Sequence, residues 1–210
     1  MTRQGILIVV SGFSGAGKGT IMWELLKRYE QYALSVSATT RAPRTGETEG
    51  KDYFFKTREA FEQMIRDGEL IEYACYVNHY YGTPRAYVEE MLAQGRDVIL
   101  EIEIQGARKI RQQFPEAVLL FVTTKDAQTL RERLAGRGTE TPEAIAQRLE
   151  RAVQESEGIE EYDYLVVNDE LETCVEEIHA VIESEHRRIR YHMELVNKVR
   201  EELRSFSKGE

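Results

Sequence analysis

Only two cysteines occur in the 210 residues, Cys75 and Cys174, far apart in the chain. That excludes a disulfide-framed scaffold and fits no zinc-ligand spacing, leaving two reduced thiols of the kind a cytoplasmic protein carries. No apolar run approaches the roughly 18 residues of a membrane span. The opening MTRQGILIVV has too short an apolar segment, and no small-residue cleavage pattern, for a secretory signal. It is expected instead to be a buried first strand. Positive charge is scarce too: 28 Lys and Arg stand against 37 Asp and Glu, a net charge of −9. Proteins that coat nucleic acid are usually basic, so neither nucleic acid nor membrane is an expected partner. A small anion remains possible, because it needs only a local cluster of arginines and backbone N–H groups. With no internal repeats, the length suits one α/β domain with a real core and a small insertion.

One further absence lies inside the most informative stretch, VVSGFSGAGKGTIM at Val9–Met22. A phosphate-binding loop usually places Ser or Thr directly after its lysine, with the hydroxyl on Mg²⁺. Here Gly19 follows Lys18, and the hydroxyl arrives one place later, at Thr20. The rest of the pattern is complete. Gly12, Gly15, Gly17 and Gly19 let the backbone curl so that N–H groups, including those of Ser14 and Ala16, approach phosphate oxygens. Lys18 can reach the β- and γ-phosphates. Ile6–Val10 is a continuous apolar run, and Ile21, Met22, Leu25 and Leu26 form a helical stripe, so the order is strand, loop, helix. An unliganded glycine turn does not require that context. Thr20 can still bind a phosphate oxygen or a metal-bound water, since Mg²⁺ keeps several waters and is often held by the substrate's phosphates.

The alternation continues along the chain. Strands are expected at Ala33–Val36, Asp97–Ile104, Ala117–Thr123 and Tyr164–Val167, with helices between them. The fold class is therefore α/β: a five-stranded parallel sheet of the P-loop NTPase type, wrapped by helices. Residues 37–83 interrupt it as a small α+β insert, leaving 1–36 and 84–210 as the core. The glycine-flanked loop GRGTETP suggests a lid at about 136–146. Leu171 onward reads as one long helix. Ile182, Ile189, Val196 and Leu203 recur at seven-residue spacing along it, a weak seam expected to pack on the parent domain rather than on another chain. Oligomeric state stays open.

The insert opens with SATTRAPRTGETEGKDYFF. Arg41 and Arg44 flank Pro43, and Lys51 and Tyr53 follow; two guanidiniums and a phenol can fork a second phosphate. A solvated basic loop would look the same, so the hydroxyls and acids around it matter: Ser37, Glu72, Tyr81, Thr83 and Glu103. Taken together, SATTRAPRTGETEGKDYFF, IEYACYVNHYYGT, ILEIEIQG and GRGTETPEAIAQRL, in that order behind the loop, resemble guanylate kinase over most of the chain. The loop alone resembles that of nucleoside monophosphate kinases in general.

That resemblance implies phosphoryl transfer from ATP to GMP or dGMP, with Mg²⁺. It implies that Arg41, Arg44, Tyr53 and Tyr81 hold the GMP phosphate, and that Ser37, Glu72, Thr83 and Glu103 read guanine. Thr83 and Glu103 stand where many members carry Ser and Asp. Arg137 and Arg148 match the lid arginines spanning both nucleotides' phosphates, and with Lys18 they form the catalytic set. Asn168, in VVND, resembles an adenine contact, though a turn-forming Asn reads as well. Glu101 resembles an acid near the metal's water shell. Arg133 stays open between a lid role and a solvated one, whereas Arg131 and Arg151, with acids at helical spacing, read as solvated.

The chemistry points the same way. Guanine offers two donors, N1–H and the 2-amino group, beside the O6 acceptor. Carboxylates at Glu72 and Glu103 suit the donors, and hydroxyls at Ser37 and Thr83 suit O6. Adenine would leave those acceptors unpaired, which rejects a wrong substrate by about 10⁴ or more. The alternative is a binding module, the fate of guanylate-kinase-like domains with a degraded loop in scaffold proteins. Lys18, Gly17, Thr20, Arg137 and Arg148 argue against it.

Overall fold

In the computed structural model, residues 4–76, 78–136 and 141–207 are described. The apolar run near the N-terminus becomes β1 (Leu7–Gly12), the central strand of a five-stranded sheet with the order β2-β7-β1-β8-β9. Its other members are β2 (Tyr32–Leu34), β7 (Asp97–Glu101), β8 (Val118–Thr123) and β9 (Tyr164–Val167), and every pairing is parallel. Alternate β1 side chains feed two separate cores. Ile8 and Val10 meet Ile21, Met22 and Leu25 of α1 (Lys18–Arg28) and Val175, Ile178 and Ile182 of α7 (Leu171–Glu185). Leu7 and Val9 meet Val88 of α3 (Arg85–Ala93) and Ala107 and Ile110 of α4 (Ile104–Gln113). Both faces are covered, which explains why β1 reads as uninterrupted hydrophobics. Each such side chain contributes about 1.5–3 kcal/mol by burial.

The insert forms a second, four-stranded sheet with the order β4-β3-β6-β5: β3 (Ala38–Thr39), β4 (Phe54–Phe55), β5 (Leu70–Tyr76) and β6 (His79–Pro84). Helix α2 (Arg58–Arg66) caps it through Phe61, packed with Ala38 and Leu70. Thr57 accepts a hydrogen bond from the Ala60 N–H and starts α2; Gly68, at φ 70°, follows its end. Asp126 and Thr141 cap α5 (Ala127–Ala135) and α6 (Pro142–Ser156) in the same way, with Pro142 in the first helical turn.

Two expectations need correction. Strand β7 stops at Glu101, so Glu103 is not on a strand but at the N-cap of α4, exposed. The alternation in ILEIEI mimics a strand, but β7 loses its partner after Val10↔Glu101, and the chain turns where Ser11 Oγ donates to the Ile102 carbonyl. The C-terminal helix is also broken. After α7 the chain makes a 3₁₀ turn at Ile189–His192 before α8 (Met193–Ser207). Buried Glu185 anchors this corner, accepting from Tyr164 Oη at 2.5 Å and pairing with Arg188 at 2.8 Å. Only Ile182 of the heptad series enters the core. Ile189, in the 3₁₀ turn, and Leu203, on α8, are 71% and 61% exposed, and no residue of α8 is buried. Helix α8 does carry an apolar row at helical spacing, Met193, Val199, Leu203 and Phe206, which the described residues leave exposed.

Candidate active site

The C-terminal ends of β1, β7, β8 and β9 share one edge of the parallel sheet, the edge where open α/β sheets bind ligands. Gly12 ends β1 there, with φ 155° and the Val122 carbonyl 2.1 Å from where a Cβ would sit. Gly17, at φ 93°, is the N-cap of α1; a Cβ would strike Asn168 Nδ2 at 2.5 Å. These two positions admit only glycine without rearrangement. Gly15 (φ 91°) shapes the same loop, and Ala16 is fully buried beneath it. Gly19 has open space around it, so nothing in the chain itself demands glycine at the site of the displaced hydroxyl. Thr20 is exposed in the first turn of α1.

Four side chains bond this loop, Lys18 from its own end and three from distant elements. Lys18 Nζ folds back to donate to the Gly12 carbonyl at 2.7 Å and to that of Phe13 at 3.2 Å. Arg148, half-buried on α6, donates to Ser14 Oγ at 3.0 Å. Asn168, 6% exposed after β9, donates from Nδ2 to the Ala16 carbonyl at 2.7 Å. One N–H of its amide thus braces the loop. Arg133 approaches the same carbonyl at 3.4 Å, which settles it beside the loop rather than in solvent. Arg137 lies outside the described residues. Glu101, at the end of β7, opens to solvent, yet crowding by protein pushes its carboxyl up, and nearby Lys18 pulls it part of the way back.

In the second sheet, Arg41, Tyr53 and Tyr81 come together. The Arg41 guanidinium lies 5.2 Å from the Tyr53 ring centre, the two tyrosine rings meet edge to face at 6.1 Å, and Arg41 also bonds Tyr81. Burial raises the Tyr53 phenol, so it stays protonated and able to donate. Arg44 is exposed and contributes its backbone N–H to the cluster rather than its guanidinium. The partner of both arginines is Glu47, which sequence reasoning missed. It takes a two-pronged bond from Arg41 at 2.8 and 2.9 Å and one from Arg44 N at 2.7 Å. Hydrogen bonding to Arg41 holds its carboxyl below the usual range. The available signal was an acid three residues after Arg44, in a loop that also carries Glu49 and Asp52.

Glu72 and Thr83 face each other across β5 and β6. Glu72 is 6% exposed and Thr83 fully buried; Thr83 Oγ1 donates to Glu72 Oε1 at 2.7 Å. The hydroxyl expected to serve guanine O6 thus orients the carboxylate instead. Gly106 leaves room for that carboxylate, since a Cβ there would lie 3.0 Å from Glu72 Oε2. Burial pushes the Glu72 carboxyl up, and Glu103 nearby adds to the shift, while the Thr83 bond and Lys109 oppose it. Ser37 is half-buried one residue before β3. Glu103 pairs with Arg151 of α6 at 2.5 Å, so Arg151 is not merely solvated.

A pH dependence follows. It rests on the expectation that Glu72 reads guanine: a protonated Glu72 cannot accept from both guanine donors, so kcat/KM for a guanine nucleotide should fall on acidification. Because the Glu72 pKa is raised, the loss should begin above the ordinary carboxylate range. The substrate phosphate itself titrates near about 6. The test is therefore the difference between the wild-type and Glu72→Gln profiles: the variant should be weak throughout and lack the carboxylate's limb.

A glycine loop on the central strand, an arginine–tyrosine cluster beside a second small sheet and an arginine from α6 at the loop are the arrangement expected of a P-loop kinase of the two-nucleotide kind. The guanylate kinase family model matches residues 4–185. The chain is 53% identical over 190 residues to the guanylate kinase of Streptococcus thermophilus (strain CNRZ 1066), covering 90% of this chain and 91% of that one. It is 50% identical over 189 residues to that of Lactococcus lactis subsp. lactis (strain IL1403), covering 90% and 92%. Among solved structures, guanylate kinase from Anaplasma phagocytophilum aligns with a TM-score of 0.72 at 33% identity, covering 88% of each chain. The chain belongs to the guanylate kinase family. Helix α8 lies beyond the span of the family model. Among the described residues, no helix is long and apolar enough to cross a membrane.

Proposed function

We propose that this chain transfers the γ-phosphoryl of Mg·ATP to GMP or dGMP, giving ADP and GDP or dGDP in the cytoplasm. Residues 1–36 and 84–210 bind ATP, the segment 37–83 binds the acceptor, and about 136–146 close over both. The observation that carries this reading is the buried Glu72–Thr83 pair, on the same small sheet as the Arg41–Tyr53–Tyr81 cluster. A base reader and a phosphate clamp on one rigid lobe fix a purine monophosphate from both ends.

The loop N–H groups of residues 12–20, with Lys18, cradle the ATP phosphates. Lys18 leaves its carbonyl partners when a phosphate offers a full charge. Arg41, Arg44, Tyr53 and Tyr81 hold the acceptor phosphate, while Ser37, Glu72, Thr83 and Glu103 surround guanine. Arg148, with Arg137 in the lid, neutralises charge on the transferring group. Such transfer needs in-line placement and positive charge more than proton transfer. Asn168 braces the loop from below. Thr20 and Glu101 offer one hydroxyl and one carboxylate, which suits a magnesium ion held chiefly by phosphate and water. When bound, the metal neutralises charge on the β- and γ-phosphoryl oxygens.

A coupled ADP-release assay with GMP, dGMP, AMP, CMP and UMP tests the proposal. GMP and dGMP should turn over, with AMP poorer by about 10⁴ in kcat/KM. Equal rates with AMP would refute the base-reading assignment. No ATP turnover with any acceptor would favour a binding module.

A further inference from the structure

Helix α6 touches both halves of the site through two arginines three residues apart, a spacing that puts them on neighbouring turns of one face. Arg148 reaches the phosphate loop at Ser14, 3.0 Å away. Arg151 reaches the other way: its Nη2 donates to Glu103 Oε2 at 2.5 Å, and its Nε to Glu155 Oε1 at 3.0 Å. Arg151 is thus fixed between a carboxylate of its own helix and one from α4. Glu103 sits at the N-cap of α4, yet its side chain makes no capping bond. Its carboxylate is not spent on its own helix; it points across to α6. The ion pair bridges a polar cavity between α4 and α6 that Gln147 and Gln154 also line.

We propose that Arg151 is a positioning residue for the acceptor base: it holds Glu103 in the rotamer that meets guanine and ties lid helix α6 to the filled pocket. The proposal rests on the reading of Glu103 as a guanine acceptor. Glutamate carries its carboxylate on one more rotatable bond than aspartate, so more rotamers compete. A bond from Arg151 to one oxygen selects among them and leaves the second oxygen for the base. The same bond ties α6 to the start of α4, beside Glu72, and with it holds Arg148, which must lie over the phosphates. Loss of Arg151 would therefore be felt in acceptor binding first.

The experiment compares Arg151→Gln, Arg151→Lys, Glu103→Gln and the double variant Glu103→Gln/Arg151→Gln in steady-state kinetics. Glutamine and lysine are good helix formers, so α6 should persist. Arg151→Gln should raise KM for GMP about tenfold, the loss of one charge-assisted bond, with KM for ATP little changed. Arg151→Lys should recover part of that loss, since it keeps the charge but not the fork. In the Glu103→Gln background, Arg151→Gln should add nothing further. If Glu103→Gln raises KM for GMP while Arg151→Gln does not, the positioning role is overturned. It is equally overturned if the two effects simply add. If Glu103→Gln itself leaves KM for GMP unchanged, the guanine assignment of Glu103 fails, and the proposal falls with it.

Discussion

Lys18→Ala should lower kcat by about 10³, close to 4 kcal/mol of transition-state stabilisation, a loss typical of removing one preorganised charge. The lysine leaves the first turn of α1 and already bends over the loop to the Gly12 and Phe13 carbonyls. Those carbonyls offer partial charges; the migrating phosphoryl group offers more. Alanine keeps the helix and the glycine turns, so the fold should stand, checked by an unchanged thermal melt within a few degrees. Lys18→Arg should be nearly as poor, because a planar fork cannot replace a compact ammonium in so tight a loop. Retention of more than about a tenth of kcat in Lys18→Ala would remove the lysine from the transition state.

Arg41→Ala should reduce kcat/KM for GMP by about 10²–10³, the value of two charge-assisted bonds, while leaving KM for ATP alone. The structure adds a second consequence. Glu47 now fills the Arg41 fork, with side-chain exposures of 13% and 19% for Arg41 and Glu47. Removal of the arginine strands a carboxylate beside the acceptor phosphate. Part of the loss is therefore repulsion, and Glu47→Gln in the Arg41→Ala background should recover some GMP binding. If the double variant is as weak as Arg41→Ala, Glu47 does not face the phosphate. If Arg41→Ala binds GMP normally, the clamp lies elsewhere.

Much of this site was legible because its chemistry is local. GFSGAGKGT is contiguous, and the turn it makes depends on glycines at fixed offsets, so Gly12 and Gly17 fall where their positive φ values require. Arg41, Tyr53 and Tyr81 were expected together from the resemblance and do meet; the Glu72–Thr83 bond was not foreseen. Glu47 escaped notice because acids in loops are common and its partner lies six residues away. Arg151 was misread because a helical neighbour, Glu155, already explained it. Glu103 was placed on a strand because alternation continues past the point where the sheet ends.

Residue order by itself determined the alternation of strands and helices, the glycine loop between β1 and α1, and the interruption of the parallel sheet by a second, smaller one. These depend on periodicity and glycine placement, properties carried by short segments. Tertiary structure alone decided which groups face each other: that Asn168 braces the loop, that Thr83 orients Glu72, that Glu47 occupies Arg41, that Arg148 and Arg151 reach opposite halves of the cleft, and that α8 has no buried residue. Each is a contact between elements whose distance follows from the packing of the whole sheet, and no segment read alone contains that distance.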